Sequence, residues 1–366
     1  MHLYCFILAA LLGLSTARPL QYSFRHFCPT FDRRSAAPTS VHALNIGDFK
    51  VIAALGDSMT AAFAAKNTRP LGVIPLEDRG ISFSMGGDSD AVTVANLIRH
   101  FQPELVGTST GSQVAEICTS DRCPTVIRNV NQDGLNGALS GAVVATLQTE
   151  LEYIQTEILR RDDIDFVHDY KLINILIGAN DLCSGCSAFN NHPTPDEYQE
   201  MLTSVLDNIR SNIPRVLVNV ILQFNVSQVW DLTHNIPSCQ AKRAGGLVFE
   251  CTCAFLGKDN SRRQMDDLAY EYRQRARNVV ASYTRDDPSF GVILDPGFEG
   301  IELKSWPLDM LSTADCFHPS GLAHSTMARS VWNNLFRKQE EKSTNIDVAN
   351  LPAIYCPTAD DIIHTD

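Results

Sequence analysis

The chain has 366 residues, of which 44% are hydrophobic and 20% charged, with a formal net charge of −12. That balance excludes an intrinsically disordered chain, and its acidity disfavours nucleic acid and anionic membranes as partners while leaving zwitterionic lipid, micelles and neutral esters compatible. The length allows one large α/β domain or two ordinary ones, with enough chain for a substantial core.

Leu3 to Leu14 is apolar, and Ser15-Thr16-Ala17 supplies the small residues a signal peptidase needs. Residues 1–17 therefore read as a secretory signal, with an uncleaved anchor as the alternative. No later stretch approaches the roughly 18 uncharged residues that span a bilayer. A secreted, extracellular protein is the expectation, and with it disulfides: of 11 cysteines, Cys5 falls in the signal and the remainder is even in number. Cys118 with Cys123 and Cys183 with Cys186 are the expected local pairs. A redox couple at Cys183 and Cys186, or half a metal site at Cys251 and Cys253, are the competing readings, although no second ligand pair at zinc spacing accompanies either. Residues 18–47 form a polar, proline-containing arm tied down through Cys28, and residues 48–339 follow as a single main domain.

The apolar run Ile52-Ala53-Ala54-Leu55 stops at Gly56 and delivers Asp57-Ser58 ahead of a helix-compatible Ala61–Ala65. Strand, tight turn and helix start place the Ser58 hydroxyl at the carboxyl edge of a sheet. There a helix N-terminus favours a developing anion, although Gly-Asp-Ser is also an ordinary turn. From Arg69 to Gly111 many glycines and prolines predict long loops over that edge. Within them Gly107-Thr108-Ser109-Thr110-Gly111 matches a nucleophile-elbow pattern and makes Ser109 a rival nucleophile, but its strand candidate, Leu105-Val106, is very short. Asn136 to Ala142 is read as opening a helix with Val143, Leu147, Leu151, Ile154 and Ile158 on one face. Gly141 would lie in its first turn, where a missing side chain lets a backbone N–H approach a substrate oxygen or simply permits close packing.

Lys171–Ile177 reads as a second buried strand ending in Gly178-Ala179-Asn180-Asp181. Thr194-Pro195-Asp196-Glu197 is a capping box, and Tyr198, Met201, Leu202, Val205, Ile209 and Ile213 form the core face of its helix. Val216–Leu222 is another buried strand, followed by the glycosylation sequon Asn225-Val226-Ser227 and an irregular insertion, 227–260, holding Cys239, Cys251 and Cys253. A charged helix over 262–283 and the strand Val292-Ile293-Leu294 come next. Asp315-Cys316-Phe317-His318 then sets a carboxylate and an imidazole three residues apart. Pro319 starts the last helix, with His318 at its N-cap and Leu322, Ala328, Trp332 and Leu335 facing the core. His168, His192, His234 and His324 lie in no comparable motif and read as surface or structural groups. Residues 340–366 form a polar tail stapled back by Cys356.

Buried strands alternating with amphipathic helices call for a parallel sheet covered on both faces, with the site beyond the strands' carboxyl ends. A serine, an aspartate with its histidine, and a nearby amide are the parts of a serine hydrolase. The imidazole takes the serine proton, the aspartate holds its tautomer, and N–H donors bind the oxyanion.

Gly56-Asp57-Ser58, Asn136 through Ser140-Gly141-Ala142, Gly178 through Asp181 and Asp315 through His318 resemble, in order, the four blocks of the GDSL, or SGNH, hydrolases, with Met59 where that family has leucine. Pro38–His42 leading into Lys50, Ile81–Asp88, Asn180–Cys183 with Cys186, and Val331–Asn334 are similar to the animal phospholipase B branch. The likeness extends from about Phe27 to about Arg337. It implies an α/β fold of the three-layer α/β/α, flavodoxin-like type, with a parallel sheet. It implies Ser58 as nucleophile, His318 as general base, Asp315 as its orienting partner, and an oxyanion hole of the Ser58 and Gly141 backbone N–H groups with the Asn180 amide. The reaction implied is hydrolysis of acyl esters of glycerophospholipids and lysophospholipids through an acyl-enzyme, at lipid interfaces, with no cofactor and no metal. Such hydrolases also cleave simple esters, acylglycerols and acetylated sugars. A secreted lipid-binding protein that has lost turnover is the reading outside catalysis, disfavoured because every catalytic position is present. A single repeat without a C-terminal anchor is the expectation, so the attachment of the family's membrane-associated members is not carried over.

Overall fold

The computed structural model describes residues 28–366 apart from 33, 35–36, 68–75, 119–122, 124–127, 187–191 and 246–249; the expected signal and the start of the arm lie outside the described residues. In chain order the elements are β1 (Phe49–Gly56), α1 (Ser58–Ala61), β2 (Leu76–Glu77), α2 (Val94–Phe101), β3 (Gln113–Val114), α3 (Val130–Asp133), α4 (Leu147–Arg160), β4 (Tyr170–Leu176), α5 (Ala179–Ser184) and α6 (Pro195–Asn212). After these come β5 (Val216–Ile221), α7 (Gln228–Thr233), α8 (Pro237–Ala244), α9 (Thr252–Phe255), α10 (Asp259–Ala281), β6 (Phe290–Asp295) and α11 (Gly321–Leu335).

The near-continuous apolar runs become the central sheet because strands covered on both faces need no polar alternation. Its order is β1-β4-β5-β6, all parallel, and β1 pairs Gly56 with Leu176 at its carboxyl end. On its other edge β1 bonds to two short segments, Ile52 N–H to Val106 O at 3.0 Å and Ala54 N–H to Leu135 O at 3.1 Å. Helix α6 packs against both α4 and α10, and α11 packs on α2, so that flanking helices cover the sheet in a three-layer α/β/α fold. Thr194 caps α6 as its capping box predicts, accepting the Glu197 N–H while Glu197 accepts the Thr194 N–H. No helix among the described residues is long and apolar enough to cross a membrane.

Local readings fail where distant groups intervene. Asn136–Ala142 does not open a helix, because Arg79 donates to the carbonyls of Asn136 (2.9 Å) and Ala138 (2.8 Å) and Arg128 donates to that of Gly137 (2.8 Å). These bonds hold the segment extended along the site, Gly141 takes a left-handed φ of 84° that no helix allows, and α4 starts only at Leu147. Nor does the helix after Ser58 continue to Ala65. Ala62 and Ala64 take φ of 57°, and this left-handed strain is offset as Ala64 N–H bonds to Leu76 O (2.7 Å) and Asp78 N–H to Ala62 O (2.9 Å). The glycine- and proline-rich stretch read as loops contains α2, whose Thr93 caps it by accepting the Asn96 N–H. His318 is not the N-cap of the last helix and Pro319 does not start it; Ser320 caps α11, and Leu322 is 49% exposed rather than core-facing.

Cys118 pairs with Cys123 as expected, and Cys28 with Cys356 ties the arm to the tail. The expected Cys183–Cys186 pair is replaced by Cys183–Cys251 and Cys186–Cys253. Cys183 in α5 and Cys186 just beyond it project side by side towards α9 rather than at each other, so each meets a different partner. Cys239–Cys316 joins α8 to the loop carrying Asp315 and His318.

Candidate active site

β1 ends at a position only glycine can fill, since a Cβ on Gly56 would fall 2.6 Å from Leu176 O and 2.5 Å from Thr60 Oγ1. The Gly56 N–H donates to Glu150 Oε2 of α4 at 2.7 Å, and Asp57 caps α1 by accepting the Met59 N–H at 2.9 Å. Ser58 is thereby held at the first position of a one-turn helix. A single turn sums few peptide dipoles, so specific N–H donors matter here more than a helix macrodipole.

The Asp315 loop reaches this serine from the far end of the chain. Asp315 Oδ1 accepts the N–H groups of Phe317 (2.9 Å) and His318 (3.1 Å), folding the loop back on itself, and Oδ2 lies 2.7 Å from His318 Nδ1. A carboxylate can only accept, so Nδ1 carries the proton and Nε2, 2.8 Å from Ser58 Oγ, accepts from the hydroxyl. Ser58 and His318 are each 7% exposed. Phe63 and Phe317 close in on the imidazole with ring centroids 4.6 and 4.9 Å away, leaving a narrow approach. Burial opposes the imidazolium, but the charge and hydrogen bond of Asp315 overcome it and hold His318 above its ordinary value.

Two further segments border the serine. Leu139 N–H donates to Gly56 O at 3.1 Å, which lays the Gly137–Ala142 loop beside the nucleophile turn. Gly141 has φ of 84°, and a Cβ there would stand 2.2 Å from Cys118 O, so no other residue fits. Asn180, in the first turn of α5, donates its Nδ2–H to Ala142 O at 2.8 Å, which sets the amide against the same loop. Ser58, Gly141 and Asn180 are thus gathered at one edge of the sheet. Ser109 is not: it is fully buried, and its hydroxyl donates to Arg79 O at 2.8 Å.

Sequence reasoning missed a set of buried carboxyl groups beneath these segments. Burial pushes Asp57 up to about 6 and Asp181 up to about 7 and raises Glu150 well above the usual carboxylate range. Asp181 accepts the Val144 N–H at 3.1 Å, tying α5 to the stretch after Gly141. Asp57 and Asp181 had a signal, as each adjoins a motif residue at a strand's carboxyl end. A second buried group, Arg79 with Glu77 (2.8 Å) and Asp133 (3.2 Å), braces the Gly141 loop, and Glu77 also accepts the Ser140 hydroxyl at 2.6 Å. His324 is structural, buried in α11 and accepting the Phe83 N–H at 3.1 Å. Beside the serine, Met59, Phe224, Phe298, Trp306, Phe317 and Met327 line an apolar cavity of about 20 Å³.

A parallel α/β/α domain that carries a serine, a histidine and an aspartate in hydrogen-bonded series at the carboxyl edge of its sheet has the architecture of a serine hydrolase. The GDSL-like lipase/acylhydrolase family matches residues 52–331, and the chain belongs to that family. Human membrane-associated phospholipase B1 is 30% identical over 345 residues, which cover 90% of this chain and 22% of that protein. The rat protein of the same name is 29% identical over 340 residues, covering 89% and 22%. The chain therefore spans about a fifth of the length of the curated relatives it matches. Among solved structures, the acetylxylan esterase Axe2 from Geobacillus stearothermophilus is 17% identical over 79% of this chain and 95% of its own, with a TM-score of 0.38. A GDSL-like lipase from Parabacteroides merdae is 16% identical over 78% and 95%, with a TM-score of 0.43.

Proposed function

We propose that the protein is a secreted esterase that hydrolyses acyl esters of glycerophospholipids and lysophospholipids with Ser58 as nucleophile. The observation that carries this reading is the continuous relay from Asp315 Oδ2 through His318 to Ser58 Oγ, at 2.7 and 2.8 Å. Ser58 Oγ attacks the ester carbonyl as its proton passes to His318 Nε2, and the negative charge moves to the carbonyl oxygen. The Ser58 and Gly141 N–H groups and the Asn180 amide receive that oxyanion. Collapse breaks the ester bond, the imidazolium returns the proton to the departing alcohol, and the acyl group stays on Ser58. Water, deprotonated by the same imidazole, then releases the acid.

Lipid as substrate is supported by the similarity to phospholipase B1. Five disulfides support an extracellular compartment. The test is labelling by a serine-reactive phosphonate together with kcat/KM for phosphatidylcholine, lysophosphatidylcholine, triacylglycerol and a sugar acetate. Ser58→Ala should abolish labelling and Ser109→Ala should retain it; preference for the sugar acetate would overturn the substrate class.

A further inference from the structure

One more carboxylate converges on the base, from a segment without any motif. Glu250 lies in the insertion between β5 and α10, immediately before Cys251. A carboxylate oxygen of Glu250, a ring nitrogen of His318 and a carboxylate oxygen of Asp315 all lie within 4.8 Å of one another. The Asp315 and His318 atoms are already committed to each other and, through Asp315 Oδ1, to two backbone N–H groups.

The insertion is held from two sides. Cys183–Cys251 and Cys186–Cys253 fasten it to α5, which carries Asn180, while Cys239–Cys316 fastens α8 to the loop between Asp315 and His318. Glu250 is thus positioned by covalent links to both halves of the site. The imidazole it faces is buried against Phe63 and Phe317, where little water screens a nearby charge.

Resting on the reading of Ser58 and His318 as nucleophile and base, we propose that Glu250 is a positioning residue acting through His318, a second carboxylate that stabilises the imidazolium formed when Ser58 gives up its proton. Glu250 itself takes no proton; the transfer remains from Ser58 Oγ to His318 Nε2. Among the described residues, the other titratable groups acting on His318 include Asp315 on its own loop, Asp57 below the nucleophile, and His324 of α11, which burial drives down to about 3 and so keeps neutral. Burial lowers His318, while Asp315, Glu250 and Asp57 each raise it. Removing the Glu250 charge therefore lets the neutral base persist to lower pH, and the acid limb of kcat/KM moves down.

The experiment compares wild type, Glu250→Gln and Glu250→Asp, reading kcat/KM for a soluble short-chain ester across the histidine range and the His318 ring titration by NMR. In Glu250→Gln both the acid limb and the ring titration should fall by about half a unit to one unit, with the plateau several-fold lower. Glu250→Asp, which keeps the charge, should restore most of the limb. An unchanged limb and ring titration in Glu250→Gln overturns the proposal, whatever happens to the plateau. Failure of the underlying reading looks different, as hydrolysis surviving in Ser58→Ala, and the NMR titration still tests the charge in that case.

Discussion

Asp315→Asn tests the relay with the least disturbance to the fold. The amide oxygen can occupy the place of Oδ1 and keep the Phe317 and His318 N–H bonds, now at 2.9 and 3.1 Å, so the loop should hold its shape. The amide nitrogen then replaces Oδ2, 2.7 Å from Nδ1, where two donors would face each other. The imidazole relieves this by moving its proton to Nε2, and Nε2–H can no longer accept the Ser58 proton. Loss of the charge-assisted bond alone accounts for about 1.5–3 kcal/mol. Adding the wrong tautomer brings the deficit to about four decades in kcat, or roughly 5.4 kcal/mol of transition-state stabilisation. The pH profile should shift as well. Asp315 holds His318 above its ordinary value, so without that charge burial prevails and the residual activity should extend to lower pH. The assay is kcat/KM against pH with a soluble ester, alongside a thermal unfolding curve showing that the variant is folded. A folded variant that loses less than about tenfold, with an unshifted profile, would refute Asp315 as the orienting partner.

Two other substitutions probe the neighbouring segments. Asn180→Ala should lower kcat by roughly 10²–10³ with little change in KM, the cost of one oxyanion donor, and an effect confined to KM would make Asn180 a binding residue instead. Asp181 is raised by burial from 3.8 to about 7, so between those values the folded protein holds a proton that the unfolded chain has released, and stability falls as pH rises through that window. Asp181→Asn should flatten this dependence, with an unfolding midpoint above that of wild type at alkaline pH by an effect of at most about 4 kcal/mol; equal pH sensitivity in both proteins would place the ionisation elsewhere.

Much of the fold was legible in the sequence. The apolar runs around Ile52–Leu55, Lys171–Ile177 and Val216–Leu222 announce buried strands through their own composition, and Thr194 with Glu197 fixes the start of α6 within a single turn. Ser58, Asn180 and the Asp315–His318 pair could be named for a similar reason, since each stands in a short motif and the first two directly follow a strand. The periodicity over Val143–Ile158 located α4 but not its start, because Arg79 and Arg128 hold the preceding carbonyls.

What only the tertiary structure decided depends on residues far apart in the chain. The short helix at Ser58 ends where Ala62 and Ala64 turn to meet β2. Cys183 and Cys186, although three residues apart, bond to Cys251 and Cys253, at separations of 68 and 67. Glu250, in a stretch with neither period nor motif, comes within 4.8 Å of the imidazole. Strand pattern, caps and turn chemistry are energies of neighbouring residues and can be read along the chain. Which cysteine, guanidinium or carboxylate meets which partner is set by how the insertions pack over the sheet edge, where burial and hydrogen bonding between distant segments outweigh local preference.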